Sequence, residues 1–257
     1  VNHHHQIGQD IGAVVALATH AVVLALAGQT TQRVRQPVAL RVSQIDAPAE
    51  TGLRLNHGYV MPSCHPTRIT LLSGKYPFRT GHPRWGSYPS AEEDRTFASL
   101  LRKAGYATAV AGKWQLSLLT KDPDQPHRMG FDDYCLFGWH EGPRYWQPML
   151  IQNGTVRDDV ADRYGPDVYV EFLAEFMEQH RHDPFLAYYP MALCHDVTDD
   201  LDEPVPSGPR KDRSDNYAEM MQATDERVGR TVALLDRLQL ALQLAQVEEQ
   251  LLLRRRG

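Results

Sequence analysis

The stretch FASLLRKAGYATAVAGK, residues 97–113, contains the pattern that decides the fold. Its first eight residues place apolar side chains at helical spacing. Gly105 follows as a C-cap signal, because glycine readily adopts the left-handed conformation that ends a helix. Residues 106–111 are a short β-prone run that ends in Gly112-Lys113. The stretch therefore predicts a helix followed directly by a strand.

A second pair of elements follows further along the chain. Residues 167–180 carry Val168, Phe172 and Phe176 on one face, which predicts an amphipathic helix. Residues 184–190 form an apolar run bounded by prolines, which is typical of a buried strand. The order helix, strand, helix, strand predicts an α/β fold with a mainly parallel sheet flanked by helices. Without an internal repeat or a low-complexity linker, a single domain is the simplest interpretation.

The N-terminal part is less regular. Residues 22–27 predict a buried strand, and a secretory leader is the alternative, since Ala25-Leu26-Ala27 resembles a cleavage site. The apolar stretch around it lacks a basic leader and is shorter than the ~20 residues that span a bilayer. We therefore find no convincing signal peptide.

At the other end, residues 217–238 predict a core helix, with apolar residues spaced for one buried face. Residues 239–256 contain no Gly or Pro and are rich in Leu, Gln, Glu and Arg, which favours a continued helix. We accordingly divide the domain into a divergent part (1–44), a regular part (45–238) and a helical tail (239–257).

Composition limits the class of protein. The chain has 257 residues, of which 42% are hydrophobic and 23% charged, so a disordered tail, a fibre and a coiled-coil rod are excluded. A net charge of −5 does not favour a nucleic-acid partner, and no stretch favours a membrane partner. Three cysteines are too few and too scattered for a disulfide framework.

The stretch CHPTRITLLSG, residues 64–74, carries the chemistry. A cysteine and a proline turn precede a helix entered through Thr67, with Arg68 in its first turn. The N-terminus of a helix offers free N–H groups and a positive dipole end, both of which favour an anion. A nucleophile and a guanidinium at that position predict an oxyanion-binding pocket. The alternative is a buried cysteine before an ordinary helix.

The pattern Cys-x-Pro-Thr-Arg-x-x-x-Leu-Ser-Gly resembles the signature of the sulfatase family. GYATAVAGKW, residues 105–114, is similar to a second sulfatase pattern, and residues 74–81 and 184–195 are similar to the family as well. The resemblance covers about residues 45–238. It implies an alkaline-phosphatase-like fold, here with a sheet that is incomplete on its C-terminal side. It also implies a sulfuric ester hydrolase, for which a periplasmic or secreted location is a family tendency.

The resemblance implies a mechanism. A formylglycine-generating enzyme would convert Cys64 to formylglycine, whose hydrate attacks sulfur with one hydroxyl and expels sulfate with the other. Arg68 and Lys113 would neutralise the sulfate oxygens, and His195 would be the leaving-group acid or a sulfate donor. The resemblance also implies that Thr67 and Gln115 bind substrate.

Two departures from the family pattern stand out. Gln115 occupies a position where sulfatases usually have histidine, and an amide can donate a hydrogen bond but cannot exchange a proton near neutral pH. The family also binds a divalent cation, usually calcium, through an Asp pair after the first strand and an Asp-Asn pair after a late strand. Here Gly28-Gln29 follows the first strand, and the tail replaces the late one. We therefore expect most metal ligands to be missing, leaving Cys64 as formylglycine only, and activity to be impaired.

One stretch of the sequence is a candidate for selecting the substrate. WHEGPRYW, residues 139–146, is a candidate specificity loop in which Trp139 and Arg144 suit sugar or aryl rings, although packing is the alternative role. The acidic residues of 196–203 predict a solvated loop rather than a substitute metal site.

The expected partner is a small sulfate ester or a sulfated glycan. A phosphonate or phosphodiester hydrolase of the same superfamily and a non-catalytic anion-binding remnant are the alternative functions.

Overall fold

The computed structural model describes residues 15–16, 20–25, 43–51, 60–61, 63–81, 83–138, 141–193 and 217–240. The helices are α1 (Ser43–Thr51), α2 (Cys64–Ser73), α3 (Phe97–Lys103), α4 (Gln125–Arg128), α5 (Gly165–Gln179) and α6 (Tyr217–Arg237). The strands are β1 (Val15–Ala16), β2 (His20–Ala25), β3 (Ala107–Lys113), β4 (Asp133–Phe137), β5 (Leu150–Gln152), β6 (Thr155–Val156) and β7 (Phe185–Pro190). Short 3-10 turns cover Pro77–Arg79, Ser90–Arg95 and Asp158–Val160.

The seven strands within the described ranges form one sheet in the order β1-β2-β7-β3-β4-β5-β6. The central strands β2, β7, β3 and β4 run parallel, with antiparallel pairs at the β1 edge and at the β5–β6 edge. Ala25 lies opposite Pro190, and Lys113 lies opposite Phe137. The carboxyl ends of the parallel strands therefore share one edge, which is where open α/β sheets place their ligands. The predicted α/β architecture with a mainly parallel sheet is confirmed.

Helices cover both faces of the sheet. On one face, the small side chains Ala109 and Ala111 allow α5 to pack closely through Tyr169 and Leu173. On the other face, α2 and α3 pack against β3 and β7 through a second cluster of buried side chains. That cluster includes Ile69, Leu72, Ala98, Val110 and Tyr188. Strands covered on both faces lose nearly all contact with water, which explains their continuous apolar runs.

The helix and strand predicted from residues 97–113 are confirmed. The Thr96 hydroxyl caps α3 by accepting a hydrogen bond from Ser99 N at 3.0 Å. Gly105 follows the helix with φ of 90°, the left-handed conformation expected of it. The predicted helix near residues 167–180 and strand near 184–190 correspond to α5 and β7. The predicted first strand begins two residues earlier, at His20, and ends at Ala25.

The end of α6 corrects one prediction. Gln239 adopts φ of 59°, and Leu240 N donates to Leu235 O at 2.9 Å, which is a left-handed helix termination. The helix therefore ends at Arg237 and does not continue through Gln239 as predicted. Composition favours helix there, but it contains no information about a single residue in the left-handed region. Residues 241–257, and with them the rest of the predicted tail, lie outside the described residues.

Helix α6 also caps α1 across the fold. The Asp225 carboxylate accepts hydrogen bonds from Gln44 N at 3.0 Å and Ile45 N at 2.9 Å. These N–H groups have no partner inside their own helix, so a buried carboxylate stabilises them through both hydrogen bonding and the helix dipole. Within the described residues, no helix is long and apolar enough to cross a membrane.

Candidate active site

Cys64 is the first residue of α2 and is a free, buried cysteine. The preceding residue, Ser63, is extended and makes no side-chain cap, so the first N–H groups of the helix lack a side-chain partner there. Thr67 fixes the approach to this helix, because its hydroxyl lies 2.7 Å from Ser63 O and 3.0 Å from Met61 O. That hydroxyl hydrogen is engaged by backbone carbonyls. Substrate binding by Thr67 stays a prediction.

Arg68 connects α2 to the carboxyl end of β3. Its Nε donates to Trp114 O at 2.7 Å, and a terminal nitrogen donates to Lys113 O. The side chain is buried, and burial lowers the pKa of the guanidinium, while the neighbouring Tyr188 and Cys64 oppose that shift. No carboxylate of the described residues pairs with it. A buried cation without an anionic partner is unfavourable unless an anion binds beside it.

The turn after β3 is held by a glycine that no other residue could replace without strain. Gly112 has φ of 121°, and a Cβ placed there would lie 2.3 Å from Pro190 O on the adjacent strand. Lys113 follows as the buried last residue of β3. Trp114 N then donates to Phe137 O at 3.0 Å. The sequence therefore delivers Lys113 and the next two residues to the same sheet edge as α2.

Gln115 combines an unfavourable backbone conformation with a buried side-chain amide. It has φ of 60°, and only 1% of its surface is exposed. Among the described residues, neither its amide oxygen nor its amide nitrogen has a hydrogen-bond partner. A left-handed non-glycine residue costs about 1–3 kcal/mol, and a buried unpaired polar group costs about 1–3 kcal/mol as well. Such costs are concentrated at functional sites. Gln115 is therefore the strongest sign of a ligand site at this edge.

A relay of hydrogen-bonded polar groups that starts at Trp114 supports the turn after β3. Trp114 Nε1 donates to Gln125 Oε1 at 2.9 Å, and Gln125 Nε2 donates to Glu93 Oε1 at 3.1 Å. Arg128 Nε completes the relay at 2.7 Å from Glu93 Oε2. Because an indole nitrogen only donates, the orientation of the Gln125 amide is fixed and requires an acceptor at residue 93. Glu93 and Gln125 were not among the predicted site residues. Glu93 lies in the acidic run Glu92-Glu93-Asp94, and nothing in the sequence of that run indicates which of its carboxylates is buried.

The candidate specificity loop is described from residue 141 onward. Arg144 stacks over the Phe137 ring, with 5.4 Å between its guanidinium carbon and the ring centroid. Glu141 accepts hydrogen bonds from Leu119 N at 3.0 Å and Thr120 N at 2.7 Å. Since Phe137 ends β4 beside Lys113, the loop lies at the carboxyl edge of the sheet. Trp139 lies outside the described residues, and so does His195.

The structure therefore brings together four of the predicted residues: Cys64, Arg68, Lys113 and Gln115. Among the described residues, no three His, Cys, Asp or Glu side chains come together as a metal site. Gly28 and Gln29, and the acidic residues of 196–203, lie outside the described residues.

This geometry coincides with a family match. The Sulfatase family model matches residues 36–243, so the chain belongs to the sulfatase family. The match confirms the resemblance seen in the sequence and includes both α2 and the turn after β3.

Single proteins of known sequence or structure resemble the chain at low identity. The chain is 25% identical over 231 residues to human N-acetylgalactosamine-6-sulfatase, a match that covers 77% of this chain and 42% of that protein. It is 30% identical over 165 residues to an ulvan-active sulfatase of Formosa agariphila, covering 61% of this chain and 31% of the other. The solved structure of Ps i-CgsB superposes with a TM-score of 0.62 at 22% identity, over 77% of this chain and 50% of that one, which supports the fold. The chain thus spans less than half the length of these two curated relatives.

Proposed function

We propose that the chain binds a sulfate ester at the carboxyl edge of the sheet and hydrolyses it through formylglycine derived from Cys64. The observation that carries this proposal is the buried guanidinium of Arg68, which lies beside Cys64 without a carboxylate partner among the described residues. A tetrahedral oxyanion would supply the missing negative charge.

The chain's own residues have separate tasks in this proposal. Arg68 holds the turn after β3 through two backbone carbonyls and offers its positive charge to the oxyanion. Lys113 adds a second buried cation, and Gln115 directs its unpartnered amide to the bound group. Formylglycine at position 64 supplies a hydrated aldehyde, in which one hydroxyl attacks sulfur and the other later expels sulfate. His195 is proposed to protonate the leaving alcohol.

Metal dependence is the part of the family's chemistry that fits these residues least. Calcium prefers charged oxygen ligands, and Gly28-Gln29 stands where the family pattern has two aspartates. We therefore propose that sulfate binding is retained while turnover by this chain is slow. The expected ligands are sulfated carbohydrates, by analogy with relatives named for N-acetylgalactosamine and ulvan. A formylglycine-generating enzyme is the expected maturation partner.

The first test concerns the nucleophile. The chain is co-expressed with a formylglycine-generating enzyme, and the peptide that contains Cys64 is analysed by mass spectrometry. We expect part of it to carry the aldehyde. Unmodified cysteine alone would contradict the assigned nucleophile.

The second test concerns the oxyanion. A charge-assisted hydrogen bond contributes about 1.5–3 kcal/mol, so Arg68→Ala is expected to weaken inorganic sulfate binding roughly 10- to 100-fold in calorimetry. Lys121→Ala, in an exposed turn, is the control and should bind like the unaltered chain. Arg68→Lys keeps the charge but loses the fork geometry, so its affinity should lie between the two. Equal affinities for all variants would contradict the proposed pocket.

A further inference from the structure

A short turn next to α2 exposes an aromatic ring and a cation. Trp85 is 45% exposed, and Arg84 beside it is exposed as well. The turn is tight, because Ser87 N donates to Arg84 O at 3.0 Å and the Ser87 hydroxyl donates to the same oxygen at 2.6 Å. The backbone that carries both side chains is therefore fixed.

This turn is attached to the residue that follows the proposed nucleophile. His65 Nε2 lies 2.7 Å from Ser87 O, and because that partner is a carbonyl, Nε2 carries the hydrogen. The His65 ring also packs on the Trp85 ring, with centroids 5.3 Å apart and planes tilted by 46°. Burial lowers the pKa of His65, which favours the neutral ring that this arrangement uses. Trp85 thus packs on the side chain of the residue that follows Cys64 in α2.

The chemistry of the turn suits a particular ligand class. An indole offers an apolar face that can stack on the C–H face of a pyranose ring, together with an N–H donor at its edge. Arg84 forms no ion pair with a carboxylate of the described residues, so its charge is available to an anionic substituent. A ring that carries such a substituent is a unit of a sulfated carbohydrate.

We propose that Arg84 and Trp85 form a subsite for a neighbouring sugar unit of a sulfated carbohydrate chain whose sulfate ester occupies the Cys64 site. The subsite rests on the proposed function, since it assumes that sulfate binds at Cys64. It explains why a large aromatic ring that packs on the residue after Cys64 stays in contact with water rather than in the core.

A second exposed pair offers a matched control. Phe78 is 57% exposed, and Arg79 stacks over its ring at 5.5 Å. This pair follows the C-terminal end of α2, and a helix of 10 residues separates the two ends by about 15 Å. Phe78 is therefore an exposed aromatic ring beside an arginine, as Trp85 is, but it lies at the other end of α2 and stacks on Tyr76.

The test compares three probes by calorimetry: inorganic sulfate, N-acetylgalactosamine 6-sulfate and a chondroitin 6-sulfate tetrasaccharide. Trp85→Ala is expected to weaken tetrasaccharide binding about tenfold and to leave inorganic sulfate binding unchanged. Trp85→Phe should restore most of the affinity, and Phe78→Ala should have no effect. Arg84→Gln should weaken tetrasaccharide binding and reduce its dependence on salt.

The outcomes separate the two proposals. If the unaltered chain binds sulfate and Trp85→Ala leaves tetrasaccharide affinity unchanged, the subsite is overturned and the proposed function stands. If Trp85→Ala weakens sulfate and tetrasaccharide equally, Trp85 only supports the Cys64 site, and the subsite is again overturned. If the unaltered chain binds none of the three probes, the proposed function fails first. Thermal unfolding of each variant checks that the fold is retained.

Discussion

Gln115→Met is expected to stabilise the protein and weaken its ligand binding at the same time. The amide of Gln115 is buried and makes no hydrogen bond within the described part of the chain. Removing it while keeping the length of the side chain therefore eliminates a desolvation cost of about 1–3 kcal/mol. For a chain of this size, each kcal/mol corresponds to a change of roughly 2–4 °C in Tm. The free energy of unfolding should therefore rise, as followed by urea titration with tryptophan fluorescence.

The same substitution at Gln125 provides the matched control. Gln125 is also buried, at 4% exposure, but both its amide atoms are bonded, to Trp114 and to Glu93. Gln125→Met leaves an indole N–H and a carboxylate oxygen without partners, so it should destabilise the protein by about 1–3 kcal/mol. Two identical substitutions at buried glutamines are thus expected to have opposite signs.

Ligand binding distinguishes a functional Gln115 from one that is merely badly packed. If its amide donates to a bound sulfate, Gln115→Met should weaken sulfate binding by about 10-fold or more, since hydrogen bonds to charged groups contribute about 1.5–3 kcal/mol. A variant that is less stable than the unaltered chain, or that binds sulfate equally well, would refute the reasoning.

Two further predictions concern the support of the turn after β3. Gly112→Ala should lower the free energy of unfolding by more than about 3 kcal/mol, because its Cβ would lie 2.3 Å from Pro190 O. Gly105→Ala is the control: it has open space around it and should cost only about 1 kcal/mol of backbone strain. Similar losses of stability for the two variants in urea titrations would contradict this. Glu93→Gln should lower the free energy of unfolding by about 1–3 kcal/mol and also weaken sulfate binding, because Trp114 would be held less firmly. Glu92→Gln removes only an ion pair with the half-exposed Lys75 at 2.7 Å, so it should lower the free energy of unfolding by less than about 1 kcal/mol. Equal effects of the two substitutions on sulfate affinity would exclude a positioning role for Glu93.

The elements predicted correctly are those encoded by neighbouring residues. Helix α3 and strand β3 follow from apolar spacing and from Gly105, all within residues 97–113. The end of α6 was not predicted, because a left-handed Gln239 has no compositional signature.

The same distinction between local and long-range information applies to the candidate site. Cys64, Arg68 and Lys113 could be named from local motifs. The contacts of Arg68 join residues 45 and 46 positions apart, and the Gln125–Glu93 bond joins residues 32 apart. Such pairings depend on how the helices pack on the sheet, and no window of sequence contains both partners.

The cap that Asp225 places on α1 has a consequence for the order in which this chain acquires its structure. The two partners are 180 and 181 positions apart, and β2 likewise pairs with β7 across most of the chain. At a synthesis rate of about 5–20 residues per second, α1 leaves the ribosome roughly 10 to 35 seconds before its capping carboxylate exists. A helix of nine residues is marginal in water on its own. Strand β2 must therefore wait for β7, and α1 for α6, so both segments join the fold only after most of the described residues have been synthesised.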